Sequence, residues 1–350
     1  MRYEDRIALE LARFQELDSD QRREAINTRQ RYAAYSEAAE RADAYSGSMV
    51  WARTKGRDYL VRSYYDTFGI RRQISLGVRS KDTEAIKLDY ERGRRDAQDR
   101  LKRLKAVISR QSAINRAIGL GRVPLIGAKI VRALDQATML DSGIRVLGTN
   151  AIFAYEAVAG ARFNPGPANT KDVDILFNTR GGLTLAASAD VSIHSFLRLL
   201  KKIDRSFKRS KQKLRAVNAD GYFVDLIKPL RNARRRNEKN RVSPDADDYF
   251  ATETQRSIWL EAPYFDAIAI DERGEPLRIV ATDPRIWVTH RLWLSKRKDR
   301  KPLQRRRDRE MAHAIGRLVV EYMPHLPFAS DQLQILPKSL FKEAAHLFGR

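Results

Sequence analysis

"TKDVDILF", residues 170–177, reads as a buried β-strand that carries two carboxylates, Asp172 and Asp174. Val173, Ile175, Leu176 and Phe177 supply the apolar, β-branched character of a strand in a packed sheet. Residues two apart on a strand share a face, with roughly 6.5–7 Å between their Cα atoms. Two like charges at that distance repel by about 2–3 kcal/mol at an effective dielectric near 20. A strand with a purely structural task gains nothing from that repulsion, so the surroundings must contain something that reverses it.

The flanking sequence supplies a setting. Upstream, "IRVLG" (144–148) reads as a strand ending in glycine, and "TNAIFAYEAVAG" (149–160) as a helical stretch behind it. A loop rich in Pro, Gly and Asn, 164–169, leads into the acidic strand. Downstream, residues 193–215 read as one basic amphipathic helix, and "GYFVDLIKP" (221–229) as a strand bounded by Gly and Pro that carries a third acid, Asp225. Divalent cations turn the repulsion into shared attraction, and carboxylate oxygens are hard ligands suited to Mg²⁺. A pair of such ions can stabilise both the attacking and the leaving oxygen of a phosphoryl transfer. Gly148 lets a triphosphate approach the backbone, and the Thr149 hydroxyl with the first amides of the following helix offers donors to its oxygens.

Further out the chain is mostly helical. Residues 1–46 are charged and alanine-rich, with Asp18 and Ser19 as cap candidates between two amphipathic segments. Aromatic and β-branched residues over 49–77, centred on Lys55-Gly56, suggest a basic β-hairpin. Ser80 precedes a helical pattern to about Ala117, with Ile86, Tyr90, Ala97, Leu101, Leu104 and Ile108 as its apolar stripe. Pro124 is placed to open a helix over 124–140. "RNARRRNEKNR" (231–241) is a dense basic loop, and 257–281 suggests two strands joined near Glu272–Glu275. Asp283 and Pro284 look like the cap and first residue of a helix through Leu294, with helices beyond. The expected fold class is α+β: a central mixed sheet with flanking helices, preceded by a helical N-terminal region with the hairpin and followed by a C-terminal helical region. The expected division is 1–140, 141–282 and 283–350.

Composition narrows the function classes. The chain has 350 residues, no cysteine, and 67 Lys and Arg against 44 Asp and Glu, a formal charge of +23. Disulfides, thiolate metal sites and cysteine nucleophiles are excluded. The charge points to a polyanionic partner, most simply nucleic acid. "MRYEDRIALE" lacks the apolar core of a signal peptide, and no apolar run approaches a membrane span, so a cytoplasmic protein without a membrane partner is expected. The five histidines lack ligand spacing, His290 and His313 reading as packing or capping residues, and the four tryptophans read as core. Basic residues cluster at Lys201, Lys202, Arg205, Lys208, Arg209, Lys211 and Lys213, at Arg234–Arg236 and at Arg305–Arg307.

The Gly148-Thr149 turn, the Asp172/Asp174 pair and Asp225 on a later strand resemble the nucleotidyltransferase superfamily typified by DNA polymerase β and the CCA-adding enzymes. From about Trp51 to Ala314, "GRDYL", "SLGVRSKDTEAI", "GLGRVP", "GTNAIFAYEAVAG", "KDVDILF", "VDLIKP" and "HRLWLSKRKDRKPLQRRRDREMAHA" are similar, in the same order, to a prokaryotic group with that fold. The resemblance implies that Asp172, Asp174 and Asp225 are catalytic and bind two Mg²⁺ ions. It implies that Gly148, Thr149 and Asn150 seat a nucleoside triphosphate such as ATP, with Arg291 on its phosphates. Arg307-Asp308 matches a structural "RD" pair of the group. Two departures stand out: Thr-Asn replaces the usual Gly or Ser in the turn, and the interval from Gly148 to Asp172 is long.

The implied activity is transfer of a nucleoside monophosphate to a hydroxyl, with RNA favoured over DNA and a tRNA 3′ end as one acceptor. Two alternatives stand beside it: nucleotidylation of a protein hydroxyl, and a non-catalytic nucleic-acid-binding module on a degenerate transferase core. Loss of any of the three acids would favour the last, and all three are present. The N-terminal helices suit a protein partner or a homodimer.

Overall fold

The computed structural model describes residues 14–65, 71–141, 144–163, 172–176, 189–210, 215–227, 262–329 and 331–349, with the backbone alone at 172–176, 189–195 and 225–227. The basic loop 231–241, Lys211, Lys213 and Arg234–Arg236 lie outside the described residues. The chain forms two compact units, one of 1–22, 122–272 and 277–350, the other of 23–121 and 273–276. The C-terminal helices thus share a unit with the central sheet.

The first unit is built on a seven-stranded mixed sheet, flanked by helices as an α+β fold requires. Its strands are β5 (Arg145–Leu147), β7 (Asp172–Leu176), β8 (Lys208–Arg209), β9 (Arg215–Val217), β10 (Phe223–Ile227), β11 (Tyr264–Ile270) and β12 (Pro276–Thr282), in the order β11-β12-β5-β7-β10-β9-β8. β5 runs parallel to β12 and antiparallel to β7, and β7 runs parallel to β10. Helices α3 (Leu125–Gln136), α4 (Ile152–Ala159), α5 (Ala189–Ile203), α6 (Pro284–Lys296), α7 (Pro302–Tyr322) and α8 (Lys338–Ala344) surround it. One continuous core contains Val146 and Leu147 of β5, Tyr155 of α4, Leu200 of α5, Trp287 and Val288 of α6 and Ile315 of α7.

Local chemistry places several boundaries where the sequence puts them. Asp283 caps α6, its Oδ1 accepting from the Arg285 amide at 2.8 Å, with Pro284 in the first turn. Gly160 ends α4 at φ +63°, in the left-handed region. Two expectations are corrected. The helix expected over 193–215 ends at Ile203, because Asp204 turns the chain: its Oδ1 accepts from the Ser206 amide at 2.8 Å and its Oδ2 from Asn218 Nδ2 at 3.0 Å. Lys208 and Arg209 therefore lie on a sheet-edge strand. The N-terminal region, expected to be helical on either side of Asp18-Ser19, supplies β1 (Phe14–Glu16), which pairs antiparallel with β6 (Ala161–Phe163), a pairing that only a distant partner can dictate.

The second unit contains α1 (Ser19–Ala44, mostly within it), α2 (Lys81–Ala117) and a three-stranded antiparallel sheet of β2 (Ser48–Thr54), β3 (Arg57–Tyr65) and β4 (Arg71–Val78). The hairpin expected at Lys55-Gly56 is present, both turn residues having positive φ, 50° and 77°. A third strand, β4, extends it. Ser80 and Thr83 form a capping box at the start of α2, whose 37 residues span about 55 Å. Its expected apolar stripe is only partly used: Tyr90 packs with Met49 and Leu60, whereas Ile86 is exposed. Near its end the packing is polar. Asn115 Oδ1 meets Thr28 Oγ1 at 3.0 Å and Gln111 Nε2 at 2.9 Å, and Asn115 Nδ2 donates to the Gly274 carbonyl at 2.9 Å. Gly274 must be glycine, since its φ is +82° and a Cβ there would lie 2.1 Å from the Ser112 carbonyl oxygen.

Candidate active site

The strand β5 is buried at all three positions and delivers the chain to Gly148 at φ +61°, a conformation that costs an L-residue roughly 1–2 kcal/mol. Gly148–Ala151 form one tight 3-10 turn that runs directly into α4. All four turn residues are buried, Thr149 and Asn150 included.

The turn is held from above by α6. Trp287, 1% exposed, donates from Nε1 to the Gly148 carbonyl at 3.1 Å. Tyr155 stands edge-on to the Trp287 ring at 6.1 Å and donates its hydroxyl to the Thr282 carbonyl at 2.7 Å. Complete burial pushes the Tyr155 phenol well above its ordinary range, and the nearby Asp283 carboxylate adds to this. It is a fixed donor at all working pH values.

Sheet register brings the acids to this turn. Leu147, the residue before Gly148, stands opposite Asp174 across the β5–β7 pair. Asp174 in turn stands opposite Asp225 across the β7–β10 pair, with Asp172 opposite Phe223. Positions 147, 174 and 225 therefore belong to neighbouring points of three adjacent strands, although they are 27 and 51 residues apart in the chain, and Gly148 follows directly on the first. Among the residues described with their side chains, no group of three His, Asp or Glu is placed to hold a metal ion.

Arg291 lies one helical turn beyond Trp287, its guanidinium 5.0 Å from that ring. It is buried and donates from Nη1 to Asp308 Oδ1 at 2.9 Å; Arg300 Nε lies 2.9 Å from the other oxygen of the same carboxylate. Asp308 is thus the buried counter-ion of two arginines, which agrees with a structural role for the Arg307-Asp308 pair. Next to it, burial and the cations of Arg291, Arg300 and Arg297 hold the His290 pKa well below its ordinary value, so that the ring, stacked on Trp293 at 6.1 Å, is neutral.

Basic residues recur in the same unit. Lys201 and Lys202 end α5, and Lys208 and Arg209 occupy β8, all exposed. β8 lies two strands from β10, about 10 Å from it at the usual strand spacing. Arg306 on α7 is paired with Glu310 at 2.8 Å. Sequence reasoning missed the role of Trp287, read only as core. Its position in the turn after Asp283-Pro284 was legible, but its partner, a carbonyl 139 residues away, was not.

No curated protein and no solved structure matches the chain. A family model described as Nucleotidyltransferase matches residues 127–337, which include the turn, the three acids, Trp287 and Arg291. By that match the chain belongs to the nucleotidyltransferase family and is an enzyme of that class.

Proposed function

We propose that this protein transfers a nucleoside monophosphate from a nucleoside triphosphate to a hydroxyl of RNA, with a tRNA 3′ end as the leading acceptor. The observation that carries the reading is the register that aligns Leu147, the residue before Gly148, with Asp174 and Asp225 on three adjacent strands, with Asp172 on the same strand as Asp174. Three aspartates at such positions on two adjacent strands suit a hard divalent cation, and Asp172, Asp174 and Asp225 would hold Mg²⁺. When bound, the two ions would neutralise the acids and polarise the phosphate oxygens.

The chain's own groups do the rest. The backbone of Gly148–Ala151 receives the triphosphate at the start of α4, where unsatisfied amides favour anions. Trp287 fixes that turn, so that binding costs little reordering. Arg291 contributes positive potential from behind Trp287, and its Asp308 partner sets its position. The acceptor oxygen forms its bond to the α-phosphorus in line as the bond to pyrophosphate breaks, with Asp225 serving the acceptor hydroxyl. The basic edge at Lys201, Lys202, Lys208 and Arg209 suits a polynucleotide acceptor.

The test is incubation of the protein with Mg²⁺, each α-³²P-labelled nucleoside triphosphate, and bacterial RNA or protein extract, beside an Asp172→Asn/Asp174→Asn variant. Label on RNA that the variant loses is the expected outcome. Label on protein would make the enzyme a protein nucleotidylase. Absence of label on both, with RNA still bound, would leave the reading without its chemistry.

A further inference from the structure

The three-stranded sheet of the second unit has two unlike faces. Met49, Trp51, Leu60 and Arg62 alternate onto one, where Met49 and Leu60 pack with Tyr90 of α2. The intervening residues, Val50, Arg57, Tyr59, Val61, Tyr65 and Arg71, belong to the other, as the pairings Val50↔Val61 and Tyr65↔Arg71 require. That second face is open at its ends: Tyr65 is 66% and Val50 47% exposed and Arg57 and Arg71 are exposed, whereas Tyr59 and Val61 are half-buried and Ser63 is buried.

Its chemistry is specific. β3 begins with Arg57 two residues from Tyr59, and ends with Tyr65 directly opposite Arg71, so that an arginine–tyrosine pair stands at each end with Val61 between. The two tyrosines are six residues apart, about 20 Å along the strand. The three strands together hold five arginines and one acid, Asp58, which falls on the covered face beside Arg53 and has Arg79 at 3.8 Å. Arg57 and Tyr59 at one end and Tyr65 and Arg71 at the other combine planar rings with guanidinium groups, and no carboxylate of the three strands falls on this face.

We propose that this open face of β2-β3-β4 binds single-stranded nucleic acid, with bases stacking on Tyr59 and Tyr65 and phosphates met by Arg57 and Arg71. Every base has a π-face, so such a platform is tolerant of sequence, and its phosphate contacts make it sensitive to salt. The inference needs no catalytic step and stands apart from the transfer reaction.

The full-length chain is titrated against fluorescein-labelled 20-mers of oligo(U) and oligo(dT) and a 20-bp duplex, followed by fluorescence anisotropy at several salt concentrations. Tyr59→Ala/Tyr65→Ala leaves the net charge unchanged, so a general attraction to polyanions survives it. The expected result is a loss of about tenfold or more on both single strands, with a smaller change on the duplex. Arg57→Gln/Arg71→Gln should lower the salt slope by up to about 1.4, two phosphate contacts at about 0.7 each. The titration contains neither Mg²⁺ nor nucleoside triphosphate, so its outcome does not depend on transfer, and failure of this inference is distinguishable from failure of the transfer reading. Unaltered melting shows that the variants are folded. Parental affinity in the tyrosine variant together with a parental salt slope in the arginine variant would overturn the proposal. So would retained binding with an altered oligomeric state by light scattering, which would make the face a contact between copies.

Discussion

Replacing Trp287 with phenylalanine tests whether α6 holds the Gly148 turn. The substitution removes the Nε1–H that the Gly148 carbonyl accepts at 3.1 Å. It leaves that carbonyl in a site where Gly148 and Trp287 are both buried, a loss worth about 1–3 kcal/mol. The smaller ring also leaves space beside Tyr155 and under Arg291, for about 1 kcal/mol more by the usual scale of core truncations. The sum is about 2–4 kcal/mol, or a fall in Tm of roughly 5–15 °C for a unit of this size. Thermal unfolding followed by circular dichroism measures the first effect. Repetition with saturating nucleoside triphosphate and Mg²⁺ measures the second, because a loosened turn must be reordered by the ligand and the upward shift in Tm should shrink. A variant that melts within a degree of the parent and keeps the full ligand shift would refute the reasoning, and Trp287 would then be packing only.

Three further outcomes are expected. Gly148→Ala should destabilise the unit by about 1–2 kcal/mol through its φ of +61° alone, and a neutral result would mean that the turn can relax to negative φ without loss. Asp308→Asn leaves the buried Arg291 and Arg300 without their carboxylate, and should cost about 3–5 kcal/mol in a denaturant titration, with an unchanged midpoint contradicting the ion-pair assignment. His290 is held neutral in the fold while the unfolded chain takes up a proton below about pH 6.5, so stability should fall with acidification by up to about 1.4 kcal/mol per pH unit. A His290→Phe variant, which keeps an aromatic ring against Trp293, should show a flatter profile between pH 6.5 and 5; a parallel profile would place the titration elsewhere.

Much of the architecture was legible because its signals are local. The caps at Ser80 and Asp283, the proline at 124 and the Lys55-Gly56 turn each rest on the conformational preference of one or two residues and their nearest hydrogen-bonding groups. The expected strands at 144–148, within 170–177 and within 221–229 appear as β5, β7 and β10, because β-branched and apolar runs between turn residues have little other use. Illegible features depend on partners far along the chain. A 193–215 helix looked continuous by periodicity, but Asn218 reaches back to Asp204 and β9 captures Lys208 and Arg209 as a strand. The long helix α2 looked like a carrier of one apolar stripe, but near its end Gln111 and Asn115 make a polar join, with Asn115 bonded to Thr28 and Gly274.

The sequence by itself determined which residues carry charge and chemistry: a +23 chain without cysteine, an Asp-x-Asp strand, a third acid on a later strand, and a glycine after a buried strand. Composition and short-range pattern are enough for that, since side-chain identity fixes ligand type and local periodicity fixes strand or helix. Only the tertiary structure decided that Leu147, Asp174 and Asp225 share one line across three strands, and that Trp287 closes on the Gly148 carbonyl. It alone left Tyr65, Arg57 and Arg71 exposed on one face of the β2-β3-β4 sheet. Strand order and register arise from burying many distant side chains at once, and no segment of the chain carries that information alone.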